Sequence, residues 1–204
     1  MKGLAGLFQK RMMVSRALGL LGVPAFLCVE PAWGPAYRIP MAYLAFAGLL
    51  LVAVGVAGRV WSVAYLAGRK DKVLVVDGPF SICRNPLYLF SFMGVLGLCL
   101  YTKMLTIVLL VMPFFVWVHA RSVRREETRL RARFGEAYDA YTRRVPRLIP
   151  SFAHFSESEA LPVNGVLFRR GVMEVMLFFI LIGLFELAEA LHAAGVIVPR
   201  LALY

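Results

Sequence analysis

The sequence predicts an all-α, polytopic membrane protein with about five transmembrane helices, and three observations carry that reading. The 204 residues are 60% hydrophobic and only 17% charged, with a mean hydropathy of +0.73. A soluble domain of this size does not need so much apolar sequence. The apolar residues fall in blocks, most of them close to the roughly 20 residues that cross a bilayer as a helix. The basic residues, which give a formal net charge of +11, are distributed between those blocks in a one-sided way.

The blocks run over 13–33, 40–66, 86–101, 104–120 and 171–194. The first contains Pro24, which kinks a helix. Its basic flank lacks a small-residue cleavage pattern, so it reads as a retained span. The second starts at Pro40, a residue suited to a first helical turn. The third is roughly 24 Å long at 1.5 Å per residue, short for a span and expected to be tilted or partly re-entrant. Only the stretch around Lys103 separates it from the fourth, so the two form a tight hairpin. The fifth contains Glu174, Glu186 and Glu189. Ionisable residues inside a membrane face protein rather than lipid, which is the expectation for Glu174 and Glu186.

Of the 23 Lys and Arg, all but Arg38, Lys103 and Arg200 lie at the N-terminus, in 59–84 or in 121–170. The positive-inside rule then makes the N-terminus and those two segments cytosolic and the C-terminus exterior, in the inner or plasma membrane if the protein is bacterial. The charge is thereby explained as topology and attraction to anionic headgroups, not nucleic-acid binding. Cys28, Cys83 and Cys99 are odd in number and lack metal-ligand spacing, so neither disulfide nor zinc is expected. His119, His154 and His192 are scattered, and no metal site is expected.

Two polar segments share the predicted cytosolic face. In "DGPFSICRNPLYLF", Asp77-Gly78-Pro79 is a turn. Asn85 and Pro86 suit the N-cap and first position of a helix that starts at the membrane boundary, with Arg84 just outside. Arg84 there either snorkels to headgroups or binds an anionic ligand group. The second segment, "RREETRLRARFGEAYDAYTRRVPRLIPSF", continues the fourth helix into the cytosol, and its neighbours Glu126 and Glu127 cannot share one helix face. Glu126 is three residues from Arg129, and Glu127 four from Arg131. Phe134, Tyr138 and Tyr141 form an aromatic stripe expected to pack on neighbouring helices. Gly135 interrupts the helix, and Pro146 and Pro150 end it.

Taken together, "LVVDGPFSICRNPLYL", the "EE" pair and "FGEAYDAYTRRVPRLIP" resemble the integral membrane methyltransferase family, over about residues 72–152. That family includes isoprenylcysteine carboxyl methyltransferases and phospholipid N-methyltransferases. The resemblance implies a single membrane domain over 1–204 and a cytosolic pocket for S-adenosyl-L-methionine, formed by helix ends and the segment after the fourth span. A lipid or lipidated acceptor would enter from the bilayer. It also implies the cofactor-binding residues: Lys72, Val73, Leu74 and Val75 in an extended stretch, Phe80 after Gly-Pro, the block Arg84, Asn85, Pro86, Leu87 and Tyr88, and the pair Glu126 and Glu127. Asn85 stands where the family block carries a histidine. Carboxyl methyltransferases of the family hold the substrate carboxylate with an arginine one turn before the glutamates. Ser122 stands there, so Arg121 and Arg125 are the candidates for positioning the acceptor. The last span would wall the lipid entrance or make a dimer contact. Two other readings are an NADPH-dependent reductase of a sterol-like membrane substrate and a non-catalytic membrane scaffold. The glutamate pair followed by "FGEAYDAY" weighs against the reductase.

Overall fold

The computed structural model describes residues 27–204. A three-residue strand β1 (Val29–Pro31) and a 3-10 turn (Pro35–Tyr37) lead into α1 (Arg38–Leu66). There follow a short α2 (Pro79–Ile82), α3 (Pro86–Tyr101), α4 (Leu105–Phe134), α5 (Glu136–Arg144), α6 (Gly165–Ala193) and a closing strand β2 (Leu201–Leu203). The chain is mainly helical, as its composition requires. Three of its described helical stretches are long and apolar enough to cross a membrane: Pro35–Leu66, Leu105–Phe134 and Gly165–Ala193. The 16-residue α3 is apolar and shorter.

The predicted spans 40–66, 86–101 and 171–194 correspond to α1, α3 and α6. The helix of the span predicted at 104–120 runs on into the polar segment, as the sequence predicts. It continues to Phe134 as α4, because the polar extension is rich in residues that favour helix and forms its own ion pair, Glu126 to Arg129 at 2.5 Å. The span predicted at 13–33 lies mostly outside the described residues, Pro24 included. Its described end is a correction: residues 29–31 are strand, not helix. The physical reason is a partner at the other end of the chain.

That partner is β2. Val29, Glu30 and Pro31 pair in parallel with Leu201, Ala202 and Leu203. The ladder is extended by Ala32 N–H donating to the Leu203 carbonyl and Arg200 N–H to the Cys28 carbonyl, both at 2.8 Å. The α3–α4 hairpin joins the same clasp. Its tip, Lys103, has a φ of 61°, and its carbonyl accepts from Trp33 Nε1 at 2.7 Å. Thr106 Oγ1 donates to the Tyr204 carbonyl at 2.6 Å.

In the membrane, α1 packs most extensively on α3. The two run antiparallel, Gly48 meeting Gly97, Gly55 meeting Gly94 and Gly58 meeting Phe90. Small residues let two backbones approach, which is the main source of packing between helices in lipid. Helix α6 crosses both partners, and its carboxylates are paired. Glu174 takes Arg59 at 3.2 Å, and Arg59 also donates to Ser91. Glu186 accepts from Tyr101, and Glu189 takes Lys103 at 2.6 Å. Both Glu174 and Glu186 find protein partners, but Glu186 stays exposed rather than facing the interior.

Gly135 separates α4 from α5 with a φ of 52°. A Cβ there would touch nothing within 4 Å, so the cost of a side chain is the left-handed backbone alone. Gly135→Ala is expected to lower stability by about 1 kcal/mol, read by denaturation in detergent. No measurable loss would show that the helices do not need this break.

A charged cluster at the start of α3

The candidate site lies on the face opposite the clasp, where α1 ends and α3 begins. Residues 73–76 run extended without pairing as strand. They lead into the turn at Asp77-Gly78-Pro79 that the sequence predicts. Gly78 has a φ of 57°, and a Cβ there would meet the Tyr65 ring at 2.3 Å, so the turn can sit only on glycine. Arg69 holds Asp77 at 3.3 Å and the Ser158 hydroxyl donates to it. Burial works against the Asp77 carboxylate, but these donors win and hold its pKa below the usual value.

After α5, the prolines at 146 and 150 prevent further helix and the chain returns past α2 as an extended strap. Three backbone bonds fix it: Arg84 N–H to the Pro146 carbonyl at 2.8 Å, Ser151 N–H to Ile82 at 2.9 Å, and Gly78 N–H to Ser156 at 2.7 Å. From inside, the Tyr141 hydroxyl donates to the Phe80 carbonyl at 2.7 Å. Cys83 is fully buried beneath, and burial pushes its thiol up to about 11, which removes it as a nucleophile near neutrality.

Glu127 is the centre of the arrangement. Its Oε1 accepts from Asn85 Nδ2 and from Arg147 Nε, each at 3.1 Å, and lies 3.7 Å from Arg84 Nη1. Its Oε2 accepts from Arg147 Nη2 at 2.6 Å. Arg147 thus grips the carboxylate in the bidentate manner that guanidinium geometry favours. Asn85 Nδ2 also donates to the Arg147 carbonyl at 3.2 Å. Two polar atoms in this cluster are buried without a hydrogen-bond partner: Arg84 Nε and the Tyr138 hydroxyl. The Tyr138 hydroxyl is pushed up first by burial and then by the charge of Glu127, with Arg84 opposing. Two arginines against one carboxylate leave the cluster one positive charge in excess.

The structure brings together only part of the predicted set. Arg84, Asn85 and Glu127 converge. Leu74 packs against the buried pair Tyr138 and Tyr141, as the aromatic stripe requires. Glu126 turns aside to Arg129, which also holds Asp71 at 2.9 Å. Arg131 likewise passes over Glu127 and pairs with Asp139 at 2.7 Å. Phe80 and Val75 are core residues packed on Tyr65, while Lys72 and Val73 are exposed. Pro86 is buried, Leu87 gives its carbonyl to Ser91, and Tyr88 lies edge-on to His119 with ring centres 5.6 Å apart. Arg121 stacks over Trp117 at 4.1 Å and Arg125 is exposed. At 100° per residue, Arg125 and Arg121 sit about 200° and 240° round α4 from Glu127, so neither joins the cluster.

The capping role expected of Asn85 is a correction. Asn85 occupies the N-cap position, but its side chain makes no capping bond. Its amide is taken by Glu127 and the strap, which anchor the helix start tertiarily. The residue that sequence reasoning missed is Arg147. Its signal was present: a single arginine between two prolines in "VPRLIP", held where its direction is fixed.

Fold and site together define a polytopic helical membrane protein with a charged, strap-covered cluster at a helix start. The family model for phospholipid methyltransferases matches residues 43–137, taking in Arg84, Asn85, Glu126 and Glu127 and ending before Arg147. The chain is similar to the cobalt-zinc-cadmium resistance protein CzcN of Cupriavidus metallidurans, 29% identical over 191 residues, covering 94% of this chain and 87% of that protein. It is similar to the nickel-cobalt-cadmium resistance protein NccN of Alcaligenes xylosoxydans xylosoxydans, 33% identical over 145 residues, covering 70% and 68%. The chain belongs to the phospholipid methyltransferase family. No solved structure matches it.

Proposed function

We propose that the protein transfers a methyl group from S-adenosyl-L-methionine to a lipid or lipidated acceptor at the cytosolic face of the membrane. The observation that carries this reading is the cluster of Arg84, Asn85, Glu127 and Arg147, with two buried polar atoms still wanting partners. Buried polar groups without partners are rare and mark places where a ligand or water completes the bonding. The donor set suits a molecule that carries both a carboxylate and an ammonium. Arg84 would hold the carboxylate with its unused Nε, and the Tyr138 hydroxyl would add a second donor. Glu127 would hold the ammonium.

S-adenosyl-L-methionine supplies an already activated methyl group. The protein's share is alignment and exclusion of water. The strap fixes Arg147, Arg147 and Asn85 fix Glu127, and the buried Tyr138 and Tyr141 back the cluster. Asn85 does not titrate near neutrality, so the cluster acts by binding and not by proton shuttling at that position.

Calorimetric titration of detergent-purified protein with S-adenosylhomocysteine tests the reading. Binding is expected, and Arg84→Ala is expected to weaken it about tenfold or more. Binding of NADPH in its place, or no binding of the homocysteine at millimolar concentration, would overturn it. The cytosolic placement has its own check. In a Cys28→Ser background, a cysteine at Arg38 should label from outside intact cells and one at Arg131 should not.

The names of the two relatives add a setting, resistance to cobalt, zinc, nickel or cadmium. In this chain the methyl transfer would serve such resistance by altering a membrane component. Cells carrying the wild-type gene should then tolerate these metals better than cells carrying Glu127→Gln. Equal growth across graded metal concentrations would remove that setting and leave the enzymatic reading standing.

A further inference from the structure

The strap after α5 carries apolar side chains that are left exposed among the described residues. Ile149 is 81% exposed and Phe152 is 69% exposed, with Leu148 and Phe155 exposed beside them. The strap is nonetheless fixed in place, because Ser151 and Ser156 bond to the backbone on either side of α2.

Its depth can be read from its neighbours. Ser151 bonds Ile82, just before α3 starts. The Phe155 ring lies 6.4 Å from Trp61, which is about 7 Å inside the end of α1 at 1.5 Å per residue. Phe155 in turn lies 6.4 Å from Phe152. The exposed aromatics therefore stand level with the last turns of a spanning helix, the depth at which aromatic belts form. Immediately before them come Arg143 and Arg144, both exposed, and Arg147.

We propose that residues 147–155 are an interfacial wedge whose partner is the anionic surface of the bilayer. Ile149 and Phe152 enter the headgroup–acyl boundary, and Arg143 and Arg144 take lipid phosphates. Charge complementarity selects this occupant over a soluble protein: a basic doublet next to apolar and aromatic side chains is the pattern that anionic lipid attracts. Through Arg147 the wedge is joined to Glu127, so the membrane surface and the cluster are mechanically one unit. The inference does not depend on the reaction catalysed.

The test uses Phe152→Cys and Glu136→Cys, each in a Cys28→Ser background, since Cys83 and Cys99 are buried. Each is labelled with an environment-sensitive fluorophore and placed, one copy per particle, in nanodiscs of phosphatidylcholine and phosphatidylglycerol. A nitroxide on the lipid acyl chain is expected to quench the label at 152 about threefold more than the label at 136, which lies at the exposed start of α5. The difference should shrink in pure phosphatidylcholine and on Arg143→Gln with Arg144→Gln. Equal quenching of both labels by aqueous iodide would overturn the proposal. So would protection of residue 152 that arises only when two copies share a particle. If Phe152→Cys fails to fold, Ile149→Cys reads the same depth.

Discussion

Gly55→Val will separate α1 from α3 and cost about 3 kcal/mol, the upper end of what overpacking a tight interface costs. A Cβ at Gly55 would lie 2.6 Å from the Gly94 amide nitrogen and 2.7 Å from the Phe90 carbonyl oxygen. These are backbone atoms and cannot rotate aside. The helices must move apart, and the neighbouring contact of Gly48 with Gly97, where a Cβ would lie 2.6 Å from the carbonyl oxygen, is lost with it. Lipid is as apolar as the interface, so solvent exclusion does not restore the contact. Gly183→Val is the control, since a Cβ there meets nothing within 4 Å. Heating each variant in detergent and measuring the surviving monodisperse fraction reads the difference. A Gly55→Val protein as heat-stable as Gly183→Val would show that the close approach of the two backbones is not what holds them.

The second large effect is expected at Glu127. Glu127→Gln keeps the shape and removes the charge, leaving Arg84 and Arg147 facing each other with no counter-ion. Hydrogen bonds to charged groups contribute about 1.5–3 kcal/mol, so S-adenosylhomocysteine should bind about ten- to a hundredfold more weakly. Glu126→Gln is the discriminating partner. Its carboxylate pairs with Arg129, which Asp71 also holds, so the homocysteine affinity should change less than threefold, the pair being partly exposed. The resemblance to the methyltransferases implies both glutamates, whereas the geometry distinguishes them. Equal losses in the two variants would put the ligand on the other face of α4 and sink the assignment of Glu127 as the centre.

The spans were legible because their signal is local. Each is an apolar run closed by proline, glycine or charge, and the boundaries of α3 coincide with those read from Pro86 and the residues around Lys103. The end of α4 was legible too, since Gly135 breaks a helix that leaves the membrane and continues in water. The strand at 29–31 was not legible at all. Its residues sit in an apolar run, and the partner that makes them extended lies at 201–203. The site divides in the same way. Arg84, Asn85 and Glu127 come from recognisable blocks. Arg147 acts through a strap whose path is set by backbone bonds to α2, and Arg121 and Arg125, close to Glu127 in sequence, lie elsewhere round α4. Rotation about a helix axis distinguishes such neighbours, and a motif does not record it.

The pairing of residues 29–31 with 201–203 has a consequence for how the molecule is made. Nearly the whole chain must be synthesised before this contact can close, so α1, α3 and α4 meet in the bilayer while the Trp33 ring and the hairpin tip still lack the covering segment. A nascent chain halted after α6 is then a bundle with an open clasp end and an unpaired strand edge, the kind of species prone to misassembly. The clasp thus ties the start of the described residues to the segment after α6 once both have been made.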